Sequence, residues 1–298
     1  MKLSSILIIY REKSKFAEET AFLCKQFFSE KAINTIAIHS DFINTPIKET
    51  LDKFSNIPEL AIILGGDGTV LKSANELFIY KIPILSFNIG GHLGFLTQEK
   101  QLLFDKSFLS LIEQDKFTID SRNMLECILF KGLKKNNSEP INIKYYALND
   151  FYFKSVEEDL SPTNQIRIEI NNEKVNEYKG DGLIISTATG STAYSMAAGG
   201  PIVHPSVDAL IINPICPMSL SNRPVVIPIN SKIVVKTISE LPGALQLWKD
   251  GSKCLKLETN DYCEIKKANI PLKMIYLESS ISYYSTLIKK LEWKGNLT

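Results

Sequence analysis

The sequence predicts an α/β amino-terminal domain with a parallel sheet, followed by a mostly β domain. Three observations predict this. Up to residue 116, short apolar runs alternate with segments of helical periodicity, the βαβα rhythm of a parallel sheet covered by helices. From Phe117 onward the pattern changes to short runs rich in Ile, Val, Tyr and Thr. The 298 residues also suffice for two domains of roughly 100–200 residues each. The boundaries drawn on this basis are 1–116, 117–272 and a carboxy-terminal segment, 273–298, that packs back on the first domain.

In chain order, residues 6–10 form a first buried strand. Ser14 caps a helix over 15–31, in which Phe16, Thr20, Leu23 and Phe27 recur at the 3–4 spacing of one helical face. Residues 33–38 are β-branched and strand-like. Pro46 opens a short helical segment that ends near Phe54. The continuous apolar run 60–64 is a buried strand closed by Gly65-Gly66-Asp67-Gly68, then a helix over 70–78 and a strand over 82–87. In the second domain, 166–170 alternates apolar and polar, as a half-exposed strand does. Asn171-Asn172 turns it into a hairpin. Residues 183–186, 209–212, 225–227 and 233–235 read as further strands, 131–137 as a solvated basic loop, and 283–291 as a helix. Trp248 and Trp293 read as packing residues.

Composition excludes several classes. The net charge is +1, from 34 basic and 33 acidic residues, whereas a protein that lives on a phosphate backbone carries a basic excess. Nucleic acid is not an expected partner. No run reaches the about 18 apolar residues of a membrane span, and the amino-terminal run lacks the length and cleavage site of a secretory signal. Neither a membrane nor export is expected. The five cysteines are scattered, with no Cys-x-x-Cys pair, and no histidines fall at metal-ligand spacing. Reduced thiols, a cytoplasmic location and no protein-built metal site follow.

Two segments carry chemistry. Gly65-Gly66-Asp67-Gly68-Thr69 lies between a buried strand and a helix. Glycines there permit positive φ and close backbone approach, and Gly65, Gly66, Gly68 and Thr69 are candidate phosphate-binding residues through their amides and the helix amino terminus. The turn is neither a Walker A loop nor a dinucleotide fingerprint, and a tight structural turn is the plain alternative. Asp67 argues against that alternative. A carboxylate beside phosphate-binding amides is repelled by the ligand, so its presence points to a task such as taking a proton or holding Mg²⁺. The second segment, Thr187-Ala188-Thr189-Gly190-Ser191-Thr192-Ala193-Tyr194, is built of small and hydroxylated residues that let a ring or a phosphate approach the backbone. Tyr194 adds a stacking face.

Together these segments, with Leu93-Gly94-Phe95-Leu96, Asn149-Asp150 and the run over 181–228, resemble the NAD kinase family. The GGDGT turn alone is shared with lipid kinases of the diacylglycerol and sphingosine type; the long run is the specific part. The resemblance implies a two-domain enzyme with its active site between the domains. It implies transfer of the ATP γ-phosphate to the 2′-hydroxyl of the adenosine ribose of NAD, with Mg²⁺ or another divalent cation accompanying ATP. It further implies a homodimer or homotetramer in which a neighbouring subunit contributes to the NAD site. Asp67 would be the general base. Asn149 and Asp150 would contact adenine and the nicotinamide ribose, and Asp181 the nicotinamide side. Thr192, Ala193, Tyr194, Ser195, Met196 and Ala197 would line the adenosine. Gly68, Lys72 and Lys179 would lie near the ligand. Asp150 stands where the family has Glu and is one methylene shorter. Ala188 stands where Pro is common and Met218 where His is frequent, and 88–93 is one residue longer than the common form.

His39 and His204 read as structural; for His92, in a Gly-rich loop near the proposed site, a ligand contact is the lesser alternative to a structural role. Lys249-Asp250-Gly251 reads as a turn. Two rival functions remain open on the residues alone: a lipid kinase, and a dinucleotide sensor that binds NAD without catalysis.

Overall fold

Runs without a polar residue become the centre of a sheet. Every residue of 60–64 is buried, as are Ile6, Leu7, Ile8 and Ile9. The computed structural model describes residues 2–91, 94–104, 108–132, 142–155, 164–238, 245–258, 260–278, 280 and 282–293. Contacts divide the chain into two units, Met1–Ser121 with Leu272–Thr298, and Arg122–Pro271.

In chain order the first unit contains β1 (Ser5–Tyr10), α1 (Lys15–Ser29), β2 (Asn34–His39), α2 (Ile47–Leu51), β3 (Leu60–Leu64), α3 (Asp67–Leu77), β4 (Ile84–Asn88), β5 (Gln98–Glu99), α4 (Phe108–Glu113) and β6 (Phe117–Arg122). The second unit runs through β7 (Leu125–Phe130), β8 (Asn142–Ala147), β9 (Asp150–Ser155), β10 (Asn164–Ile170), β11 (Glu173–Gly180), β12 (Gly182–Thr187), α5 (Tyr194–Ala197), β13 (Ala209–Ile215), β14 (Val225–Pro228), β15 (Ile233–Thr237), β16 (Leu245–Lys249), β17 (Ser252–Leu257) and β18 (Tyr262–Lys267). The chain then returns to the first unit as β19 (Leu272–Leu277) and α6 (Tyr283–Leu291).

The first sheet has the order β2-β1-β3-β4-β19-β6, with β5 beside β4. β2, β1, β3, β4 and β19 are parallel. β6, which the composition shift assigns to the second domain, pairs into this sheet. The returning segment supplies an internal strand as well as the expected helix. The second unit holds two antiparallel sheets, β11-β10-β15-β18-β7-β8 and β14-β13-β12-β9-β16-β17. Its core is one cluster drawn from both, including Cys127, Phe151, Phe153, Ile168, Ile185 and Val235. The β10–β11 hairpin turns at Asn171 and Asn172 with φ of 51° and 70°. Left-handed conformations at both centres match strand twist, and Asn tolerates them.

Several expectations are corrected. α1 buries Ala17, Thr20, Ala21, Cys24 and Phe28, while Phe16 and Leu23 are 49% and 61% exposed. Small residues let the helix lie close to the sheet. Phe28 is the ring that turns inward; those of Phe16 and Phe27 stay outside, where Lys100 and Lys31 place ammonium groups 5.6 and 5.3 Å from them. Trp293 is 56% exposed, so it is no packing residue; Trp248 is half-buried and stacks on Tyr152 at 5.7 Å. Lys131, at the head of the supposed solvated stretch, is paired at 2.7 Å with buried Asp261, and residues 133–137 lie outside the described residues. No helix among the described residues is long and apolar enough to cross a membrane.

Candidate active site

In the first unit, β1, β2 and β3 end side by side. The residues just beyond them, Arg11, Glu12, Ser40 and Gly66, together with Gly68, Thr69 and Lys72 of α3, line a cleft of about 400 Å³. The chain leaves β1 for β2 on one side and later adds β3 on the other. That reversal opens a crevice at the carboxyl ends of the strands, where open α/β sheets bind ligands. The cleft also receives the amino terminus of α3, whose first-turn N–H groups and dipole favour an anion.

α3 begins three residues earlier than its apolar pattern indicates. Gly66 is the N-cap, with φ −96° and ψ −175°, and Asp67 is the first helical residue. None of the turn's three glycines has positive φ, so conformational freedom is not their role; at Gly65 the reason is space. A Cβ on Gly65 would lie 2.4 Å from Thr69 Oγ1, whereas one on Gly66 or Gly68 would meet nothing within 4 Å. Gly65 donates its N–H to Phe87 and Thr69 donates to Gly66. Among the described residues, the amides left for a ligand are those of Gly66, Asp67 and Gly68, at the start of the helix.

The Asp67 carboxylate is held from outside its own helix. Phe95 donates its main-chain N–H to Oδ2 at 2.8 Å, and Leu96 donates to Oδ1 at 3.0 Å. A Cβ on Gly94 would fall 2.0 Å from Oδ1, so only glycine admits the carboxylate there. His92 and Leu93 lie outside the described residues.

In the second unit, Asn149 and Asp150 stand where the chain crosses from β8 in one sheet to β9 in the other. Asn149 accepts at its carbonyl from the Thr187 N–H at 2.9 Å. Its N–H donates to Asp250 Oδ1 at 2.8 Å. The loop after β12 forms a 3-10 turn, Thr189–Thr192, and then the short α5. A Cβ on Gly190 would lie 2.3 Å from the Asn149 carbonyl oxygen, so this glycine allows the loop to close onto Asn149. Thr192, Ala193, Tyr194 and Met196 are half-buried and Ala197 is exposed. Ser195 is fully buried, with its carbonyl bound by the Asn213 amide at 2.9 Å. Tyr194 meets Tyr152 edge-on at 4.8 Å. The Asp150 carboxyl is held well above its ordinary range, chiefly by burial and further by the charge of Asp250.

Lys179 and Asp181 are exposed and lie at the other end of β12. Asp150 pairs with Ser186, five residues from Asp181, or about 17 Å along a strand. Asn149, Asp150 and the 192–197 segment are therefore brought together within one chain, and Asp181 and Lys179 are not among them.

Known proteins share the fold of this chain. The family model for the ATP-NAD kinase N-terminal domain matches residues 6–115, and that for the ATP-NAD kinase C-terminal domain matches residues 149–277. The chain belongs to the NAD kinase family. As a member it is a kinase, a phosphotransferase. It is 59% identical over 293 residues to NAD kinase 1 of Prochlorococcus marinus subsp. pastoris, covering 98% of each chain. It is 38% identical over 296 residues to NAD kinase 1 of a Synechococcus species, covering 99% of this chain and 96% of that one. Yeast NADH kinase, solved with NADH, shares the fold with a TM-score of 0.81 at 24% identity, over 99% of this chain and 89% of that chain. An NAD kinase from Archaeoglobus fulgidus, solved with ATP, gives 0.71 at 20% identity, over 98% and 100%.

Within this NAD kinase fold, four residues escaped the sequence reading as site elements. Arg11 lies one position past β1, where a strand end in a parallel sheet faces the crevice. Gly94 belongs to the quoted Leu-Gly-Phe-Leu motif, but nothing local ties it to Asp67. Gly190 is legible only as one of the small residues of its loop. Asp250 was visible only as a turn, with its partners some 100 residues away.

Proposed function

We propose that the chain transfers the γ-phosphoryl group of ATP to the 2′-hydroxyl of the adenosine ribose of NAD, forming NADP and ADP. The observation that carries this reading is the Asp67 carboxylate, fixed by two main-chain amides at the head of a helix whose amino terminus opens on a cation-bearing cleft. In the first unit, Lys72, Arg11 and the amides of Gly68 and its neighbours hold the triphosphate. Asp67 takes the proton of the attacking hydroxyl. Such base assistance contributes about 10²–10⁴ in rate; the remainder is positioning and charge stabilisation.

In the second unit, Asn149, Asp150 and the segment Thr192, Ala193, Tyr194, Ser195, Met196 and Ala197 hold the adenosine side of NAD. Asp181 is about 17 Å away along β12, and Lys179 lies beyond it at the end of β11. That separation supports a site shared between two copies, in which one chain's Asp181 serves the dinucleotide bound by its partner in a homodimer or homotetramer. The complexes of the yeast and archaeal enzymes with NADH and ATP support the two substrates.

Among the described residues no cluster of three His, Cys, Asp or Glu side chains could hold a metal. The cleft offers one carboxylate, Glu12, with Asp67 in the glycine turn beside it. That donor set fits Mg²⁺ carried in on the triphosphate, since Mg²⁺ keeps several waters and needs only one or two carboxylates. When bound, the ion neutralises charge on the phosphate oxygens. Five unpaired cysteines support a cytoplasmic setting.

The test is a coupled assay of NADP formation from Mg-ATP and NAD, with a lipid alcohol as the parallel acceptor. NADP forms only with the divalent ion present, and the lipid is not phosphorylated. Tight NAD binding with no NADP formed from any phosphate donor overturns the reading in favour of a sensor.

A further inference from the structure

Asp250 sits in the turn between β16 and β17, with φ of 43° followed by Gly251 at 80°. Its carboxylate accepts three consecutive main-chain N–H groups: Leu148 on Oδ2 at 2.9 Å, and Asn149 and Asp150 on Oδ1 at 2.8 and 3.1 Å. Its own N–H donates to the Asp150 carbonyl at 3.0 Å. From the opposite side, the Thr187 N–H and the hydroxyls of Ser186 and Thr187 bind the Asn149 carbonyl at 2.9, 3.2 and 3.3 Å. The peptide groups flanking the Asn149 side chain are thus clamped on both sides.

The β16–β17 turn does not need this carboxylate. Lys249 pairs with Ser252 across it, and its two left-handed centres, Asp250 and Gly251, would suit Asn-Gly as well as Asp-Gly. The segment that needs it is the two-residue crossing from β8 to β9, which passes between sheets and so has no ladder of its own. The placement also has an electrostatic cost, because Asp250 and Asp150 set two carboxyl groups close together and Asp150 is buried. A turn selected for stability alone would avoid that pairing; a binding loop that must hold one geometry tolerates it.

We propose that Asp250 is the positioning residue of the dinucleotide site, its carboxylate holding Asn149 and Asp150 in the orientation that receives NAD. This rests on the reading that Asn149 contacts NAD. Asp250 touches no substrate and acts through the pair. Asp250→Asn puts an amide N–H₂ against at least one of the three N–H donors, so the loop shifts while the volume is kept.

The test uses the full-length protein: NAD titration by calorimetry and steady-state KM for NAD and for ATP, on wild type, Asn149→Ala, Asp250→Asn and the double variant. Asp250→Asn weakens NAD binding about 10-fold and leaves the KM for ATP unchanged; in the Asn149→Ala background the same change costs less than about twofold, the non-additivity expected of coupled residues. A general loss of stability would instead add to Asn149→Ala and spread to ATP. If Asp250→Asn does not fold, Asp250→Glu, which keeps the charge but displaces the acceptor oxygens, is titrated in its place with the same expectations. Unchanged NAD affinity on Asn149→Ala overturns the underlying site reading. Weakened affinity there, with Asp250→Asn at wild-type affinity or fully additive, overturns the positioning role alone.

Discussion

Phe95 donates its main-chain N–H to the Asp67 carboxylate at 2.8 Å across 28 residues of sequence, and the neighbouring Leu96 N–H binds the other oxygen. The carboxylate is therefore oriented before any ligand arrives. Each oxygen retains a lone pair for a substrate proton. Asp67→Asn keeps the size and one of the two hydrogen bonds, so the protein should stay folded, with a loss of about 1 kcal/mol for the other. Turnover should fall about 10²–10⁴-fold. Thermal melts and NADP formation measured on one preparation separate the two effects; near-normal turnover in a folded variant rejects Asp67 as the base.

Gly94 makes that geometry possible. A Cβ there would lie 2.0 Å from Asp67 Oδ1 and 2.4 Å from Thr97 Oγ1, so Gly94→Ala must displace one or both. Overpacking of this kind costs about 1–3 kcal/mol. The larger consequence should be kinetic: kcat falls at least about tenfold, because a base moved by about 1 Å loses its alignment. Equal kcat in wild type and Gly94→Ala would mean that the carboxylate does not act from this position.

Gly190 plays the matching part in the second unit. Its Cβ would meet the Asn149 carbonyl oxygen at 2.3 Å and Ser186 Oγ at 2.5 Å. Gly190→Ala should push the 189–197 segment away from Asn149 and raise the KM for NAD about tenfold or more, with the KM for ATP unaltered. A parallel rise in both constants would point to general misfolding instead.

What the sequence discloses follows from how far a signal reaches. The apolar run 60–64, ended by two glycines, is legible because burial and breakage are local. The start of α3 is less so: Asp67, Gly68 and Thr69 are weak helix formers, and only the N-cap geometry of Gly66 shows that they already belong to the helix. The buried face of α1 misleads because Phe16 and Phe27 are stronger hydrophobic signals than Ala17 and Ala21, while the face on the sheet takes the two alanines with Cys24 and a single ring, Phe28. β19 and Asp250 are not legible at all. β19 enters the sheet beside β4, nearly two hundred residues earlier, and Asp250 binds amides about one hundred residues upstream. No local pattern encodes either pairing.

Asp150 makes stability depend on pH with a definite sign. Burial, and secondarily the Asp250 charge, raise its carboxyl above the ordinary value of 3.8. Over the window between that value and the raised one, the folded chain keeps a proton that the unfolded chain has released. The unfolded state then binds fewer protons, so stability is fully present below the ordinary carboxyl pKa and is lost as pH rises through the window. Asp150→Asn keeps the shape and cannot ionise. Its melting temperature should match wild type at about pH 4 and exceed it at about pH 8, even though NAD binding is weakened by the lost carboxyl. Differential scanning calorimetry of both proteins across that range measures the gap directly, and a gap that stays constant with pH would show that the buried carboxyl is not what titrates.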